Sequence, residues 1–171
     1  MNNSTNHIEQ EIARAWSILE TVVDPEIPVV SVVDLGIVRS IKIETPEQEI
    51  SITITPTYSG CPAMDVIATS IRLAMFSHGY RDVQIKQELS PAWTTDWITD
   101  KGKSKMKAFG VAPPQRSYAS AGTLFAAPEK VQCPLCDSTD TRLLSEFGST
   151  SCKALYQCNS CLEPFDLFKC H

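Results

Sequence analysis

Residues 50–79 read ISITITPTYSGCPAMDVIATSIRLAMFSHG, and this run decides the fold. Ile50, Ile52 and Ile54 alternate with Ser51, Thr53 and Thr55, the period-two pattern of a strand with one buried face. From Met64 the period changes. Met64, Ile67, Ala68, Ile71, Ala74, Met75 and His78 share one helical face, and Gly79 stands where a helix-ending glycine belongs. The loop between them, TPTYSGCP at 55–62, places Pro62 at the first helical position and Cys61 at the N-cap. After the helix, Val83, Ile85 and Leu89 alternate in a further strand. A strand, a helix and a strand in succession make a right-handed crossover, so the further strand should lie parallel to a neighbour.

Upstream, Ile37, Arg39, Ile41 and Ile43 alternate with Val38, Ser40, Lys42 and Glu44, and TPEQ follows as a turn. Residues 36–55 therefore predict an antiparallel hairpin with one buried face. Before it, Ile8, Ile12, Ala15, Trp16, Leu19, Val22 and Val23 recur at helical spacing. Asn6 and Glu9 have the spacing of a capping box. The helical pattern ends by Asp24-Pro25, because proline disfavours a helical residue before it. The expectation is an α+β fold: a small mixed three-stranded sheet with helices on one face.

Downstream, Trp93, Trp97, Met106 and Phe109 predict a short helix or lid within 91–110. Residues 111–128, VAPPQRSYASAGTLFAAP, have the composition of a linker. No internal repeat stands out. The predicted organisation is a domain at 1–110, a linker at 111–128, and a small four-cysteine ribbon at 129–171.

Cys133-Pro-Leu-Cys136 and Cys158-Asn-Ser-Cys161 carry the strongest chemical signal. Each pair can bring two thiolates to one ion, and two pairs supply the tetrahedral shell that suits a structural Zn²⁺. Arg142-Leu143-Leu144 and Ala154-Leu155-Tyr156 fit short strands around an FGST turn. A segment of this size has too little core to fold alone, and metal would supply the missing free energy. A rubredoxin-like iron site uses the same ligands. Cys152 suits a small buried residue or a thiol near the site, Cys170 has no assigned role, and His171 suits a frayed end.

The chain has 171 residues, 43% hydrophobic and 20% charged, an ordinary balance for a globular protein. No apolar run reaches the roughly 20 residues of a membrane helix. The first residues lack the order of a signal peptide, so a cytoplasmic location is expected. There the seven cysteines would stay reduced, which favours metal over disulfides. A net charge of −5 argues against a nucleic-acid partner.

At a helix start Cys61 meets free amides and the positive end of the dipole, which favour the thiolate and lower its pKa. The competing reading is a small cap residue without chemistry. Asp24, Glu26 and Asp34 could approach the same loop, as ligands or as caps of turns. No histidine or second cysteine lies nearby in sequence to make a nucleophile pair.

DPEIPVVSVVDLG at 24–36 and TPTYSGCPAMD at 55–65 closely resemble the metal-sulfur cluster biosynthetic domain of SufT-type iron–sulfur assembly factors. With APP at 112–114, the ribbon, and FGSTSCKAL and EPFDLFK within it, the chain is similar to the PaaD family. That family comprises accessory proteins of the phenylacetyl-CoA epoxidase in bacterial phenylacetate breakdown. The resemblance implies a role in maturing or assembling that system, which has a di-iron oxygenase and a reductase carrying flavin and a [2Fe–2S] cluster. The Fe–S reductase is the partner it points to. It places the family's motif cysteine on Cys61 and its acidic motif on Asp24 and Glu26, implying transient iron or an Fe–S cluster there. With no Glu-x-x-His pair and no Gly-rich dinucleotide motif, no catalytic residue is expected and the chain reads as an accessory factor, not an enzyme. The alternatives are a non-catalytic interaction subunit and a thiol enzyme acting through Cys61. One Cys61 per chain cannot complete a cluster shell, so a homodimer sharing a site stays open.

Overall fold

The computed structural model describes residues 2–44, 49–114 and 130–169. Helix α1, Asn2–Leu19, buries Ala15, Ile18 and Leu19. It starts four residues before Asn6, since nothing in the preceding residues breaks helical backbone. The capping box expected at Asn6 and Glu9 is therefore absent: Asn6 Oδ1 accepts from Gln10 Nε2 one turn on, at 3.5 Å. A loop follows in which Ile27, Val30, Val32 and Leu35 are buried.

Strands β1, Val38–Glu44, and β2, Glu49–Ile54, pair antiparallel, and β3, Val83–Gln87, joins β2 in parallel. The sheet order β1-β2-β3 is the mixed three-stranded sheet expected. Three local expectations fail. A bulge between Val38 and Ser40 turns Val38 inward and leaves Arg39 exposed, breaking the alternation of Ile37, Arg39 and Ile41. β2 is the central strand, so Ser51 and Thr53 are buried as well as Ile50, Ile52 and Ile54. Leu89 lies beyond β3 and is exposed. The TPEQ turn lies outside the described residues.

Helix α2, Ala63–Ser77, buries Met64, Ile67, Ile71 and Met75. Each fully buried side chain of this size contributes roughly 1.5–3 kcal/mol. The helix packs on α1 and β3. Its end is the expected glycine cap: Gly79 N donates to Phe76 O at 3.1 Å and Tyr80 N to Met75 O at 3.2 Å.

The chain divides into two compact units, Met1–Trp93 and Thr94–His171. In the second, α3, Asp100–Ala108, is capped by Thr99, whose side chain accepts from Gly102 N. Strand β4, Val111–Ala112, pairs in parallel with β7, Pro164–Phe168. Strands β5, Thr141–Ser145, β6, Lys153–Cys158, and β7 form an antiparallel meander, giving the order β4-β7-β6-β5. The first residues of the expected linker are thus a strand of the ribbon sheet, and α3 packs on that strand. Linker composition hid a two-residue pairing whose partner lies over fifty residues away. The rest of the expected linker, from residue 115 on, lies outside the described residues. The ribbon core is Ala112, Val131, Cys133, Ala154, Cys158, Phe165 and Leu167, with Tyr156 stacked on Phe165 at 5.9 Å.

Candidate metal centres

The two cysteine pairs sit on two turns of one design. Each reads Gln-Cys-x-x-Cys: Gln132 to Cys136, then Gln157 to Cys161. The residue after each pair has left-handed backbone, Asp137 at φ 62° and Leu162 at φ 66°. The first cysteine of each pair closes the turn through its amide, Cys133 N to Ser138 O at 2.9 Å and Cys158 N to Glu163 O at 3.0 Å. Across the turns, Ser138 and Ser160 hydroxyls lie 2.7 Å apart and Asn159 Nδ2 donates to Asp140 Oδ1 at 2.8 Å. This duplication is an internal repeat, against the expectation of none. It is faint in the sequence because only the glutamine and the cysteine spacing recur.

The turns bring Cys133, Cys136, Cys158 and Cys161 together, with all four Sγ within 4.8 Å of one another. Cys133 Sγ lies 3.8 Å from Cys161 Sγ and Cys136 Sγ 3.5 Å from Cys158 Sγ. A Zn–S bond of about 2.3 Å implies a tetrahedral edge of about 3.8 Å, which these two edges approach, so the four sulfurs can close on one ion with small shifts. The Cys161 amide, joined by that of Ser160, pulls the Cys158 thiol down to about 6. The Ser138 amide pulls Cys136 down too, but the adjacent thiols, Cys158 foremost, push it up to about 12. Crowded sulfurs cannot all ionise unaided, and a dication supplies the charge they lack. Cys152 is buried, hydrogen-bonded to Thr150 at 3.1 Å, and not one of the four. Cys170 and His171 lie outside the described residues.

Leu162 is 70% exposed, so no burial offsets its backbone conformation. Left-handed backbone costs a non-glycine residue roughly 1–2 kcal/mol, and glycine returns part of that as chain entropy. Leu162→Gly should therefore raise ribbon stability by about 0.5–1 kcal/mol, read as a higher melting midpoint of the metal-loaded chain. A lower midpoint would count against the strain.

The second candidate site is Cys61, which belongs to no group of three or more ligand atoms at metal spacing among the described residues. Gly60, at φ 87°, turns the loop so that Cys61 precedes Pro62 and the first turn of α2. Pro62 is the cap and Cys61 the residue before it, one place earlier than expected. Even so, the Ala63 amide donates to the Cys61 sulfur. Asp24 and Glu26 lie near enough to act on that thiol. Asp24 is buried, and its Oδ1 accepts from the amides of Glu26 at 2.8 Å and Ile27 at 2.9 Å. Asp34 caps a turn: the carboxylate Oδ2 accepts from Ser31 N, and the Asp34 amide donates to Ser31 Oγ.

The expected lowering of the Cys61 pKa is overturned. Burial raises it most; the Ala63 amide and the Tyr58 hydroxyl pull it down, but Glu26 and Asp24 add to the rise. The thiol is half-buried and stays protonated at neutral pH. Replacing Glu26 removes a repelling charge, so Glu26→Gln should shift the alkylation profile of Cys61 to lower pH. Iodoacetamide labelling, followed on the Cys61 peptide by mass spectrometry, measures it. Superimposable profiles would show that Glu26 does not act on the thiol.

Residues 118–169 match the PaaD zinc beta ribbon domain, and residues 12–86 match the iron-sulfur cluster assembly protein family. A protein of Escherichia coli (strain K12), provisionally named as a subunit of 1,2-phenylacetyl-CoA epoxidase, is 46% identical over 94% of this chain and 93% of its own length. The chain belongs to the PaaD family. An Fe-S protein maturation auxiliary factor of Porphyromonas gingivalis (strain ATCC BAA-308 / W83) is 34% identical over 59% of this chain and 92% of its own. The crystal structure of a DUF59 domain from Bacillus anthracis matches with a TM-score of 0.54 at 23% identity. It covers 58% of this chain and 93% of that one, and supports the α+β fold of the first unit. In this PaaD-family chain no helix among the described residues is long and apolar enough to cross a membrane.

Proposed function

We propose that the protein is an iron–sulfur cluster or metal-centre maturation factor for the phenylacetyl-CoA epoxidase of phenylacetate degradation, acting in the cytoplasm without catalysis of its own. The observation that carries this reading is that Cys61, beside the start of α2, lies within electrostatic reach of Glu26 and Asp24. One soft sulfur with two hard carboxylates in its surroundings, not gathered at ligand spacing, suits holding iron briefly and giving it up. Loading iron on Cys61 displaces the thiol proton, so loading should improve as pH rises toward the raised pKa. Cys133, Cys136, Cys158 and Cys161 hold a structural Zn²⁺, and the ribbon docks the client, of which the Fe–S reductase is the leading candidate.

One observation favours a second reading. The Cys61 sulfur accepts from the Ala63 amide and its thiol is held neutral, as a plain helix-start residue would be. The protein would then be a non-catalytic interaction subunit of the epoxidase. The test is the iron and cluster content of the epoxidase reductase produced anaerobically with and without this protein. A deficit without it supports maturation; equal content leaves the interaction subunit. Brown, iron-containing protein on anaerobic purification supports the first reading, and colourless protein with zinc alone the second.

A further inference from the structure

Two glutamine side chains repeat the same contact on the two cysteine turns. Gln132 Nε2 donates to Asp137 O at 3.2 Å, and Gln157 Nε2 donates to Leu162 O at 3.1 Å. In both cases the acceptor is the carbonyl of the left-handed residue that follows the second cysteine. That carbonyl belongs to a peptide plane whose other end matters more. A trans peptide holds its C=O and N–H rigidly opposed. The N–H opposite Asp137 O is that of Ser138, which donates to Cys136 Sγ. The N–H opposite Leu162 O is that of Glu163, which donates to Cys161 Sγ. Each glutamine therefore grips one end of a peptide plane while the other end points at a sulfur of the cluster.

We infer that Gln132 and Gln157 are positioning residues for the ribbon's metal ion, acting on the Cys136 and Cys161 sulfurs through one peptide plane each. The inference rests on the four cysteines holding a metal. A left-handed residue sits in a small energy well, so its peptide plane is held in place by its contacts. A hydrogen bond accepted by the carbonyl also polarises the amide and strengthens the bond its N–H makes to sulfur. Groups that orient metal ligands in this way change metal affinity by about 10–100-fold when removed.

The two turns differ in one respect. Arg142 donates to Gln157 Oε1 through Nε at 3.2 Å and Nη2 at 2.5 Å, which holds that side chain in place. Gln157→Met removes two contacts together, whereas Arg142→Met removes the anchor and keeps the glutamine donor. Gln132→Met is the cleaner variant, close in size and without a donor.

The test uses the full chain loaded with Co²⁺, and unaltered chain loaded with ¹¹³Cd. In the Co²⁺ protein, Gln132→Met and Gln157→Met should each move the sulfur-to-cobalt charge-transfer band to lower energy. Each should also speed release to a chromophoric chelator about ten-fold or more. Arg142→Met should leave the band in place. In the unaltered ¹¹³Cd protein, the amide protons of Ser138 and Glu163 should show coupling to the metal through sulfur, a result that needs no variant to fold. A band unmoved in both Met variants, or no such coupling, overturns the inference even if melting temperatures fall. An unaltered chain that binds no metal overturns the metal reading itself, and the inference with it.

Discussion

Cys158→Ser should leave the chain without its ribbon. Cys158 is fully buried in the ribbon core and is also one of the four clustered sulfurs, so it links packing to metal. Structural Zn²⁺ supplies about 10–16 kcal/mol in small domains, more than most domains hold in reserve. Among the described residues the core around the site is seven buried residues, several of them small, too few to replace that. The expected result is loss of bound zinc and of dispersed amide resonances for residues 130–169, with those of Met1–Trp93 unchanged. The fate of residues 94–112 decides the boundary between units. If α3 and β4 unfold with β5–β7, the unit beginning at Thr94 is the cooperative one. If they stay folded, the boundary near residue 110 read from composition is the right one. A variant that keeps full zinc and a folded ribbon would remove the metal from the account of its stability.

How much of this was legible depends on range. Most of each helix face, the β1–β2 hairpin and the parallel β3 follow from the sequence pattern. The faces overran at their ends, since α1 stops at Leu19 with Val23 exposed and His78 lies exposed beyond α2. What failed was decided by contacts distant in sequence. Ser51 and Thr53 alternate as a surface face would, yet β2 is flanked on both sides and buries them. Arg39 matched the alternation of Ile37 and Ile41 until the bulge at Val38 shifted it, and a bulge leaves no period to read. Val111 and Ala112 became a strand only because β7 lies beside them.

At the sites the division is similar. The four clustered cysteines were legible because CxxC spacing is itself a geometric constraint. Gln132 and Gln157 were written before each pair all the same, as QCPLC and QCNSC, and comparing the residues outside the two motifs would have found them. The direction of the Cys61 pKa was not legible. A helix start argues for a lower value, and only the folded loop shows that burial and the two carboxylates outweigh the Ala63 amide.

Cys61→Ser should fold normally and fail in function. The sulfur is half-buried and accepts from the Ala63 amide and the Tyr58 hydroxyl, roles serine fills with a better acceptor. Loss of a helix-start contact costs about 1 kcal/mol, well within a usual stability of roughly 5–15 kcal/mol. The thermal midpoint of the first unit should therefore stay close to that of the unaltered chain. The chemistry has no such margin. No other cysteine lies in residues 1–110, so nothing replaces the soft ligand when oxygen takes the place of sulfur. Epoxidase reductase produced alongside Cys61→Ser should carry no more cluster than reductase produced with no partner protein at all. Cys61→Ala separates the two contributions, since it removes the helix-start acceptor and the ligand together and should add only the small stability loss. Full cluster content and activity with a well-folded Cys61→Ser would make Cys61 a structural residue, and the interaction-subunit reading would replace maturation.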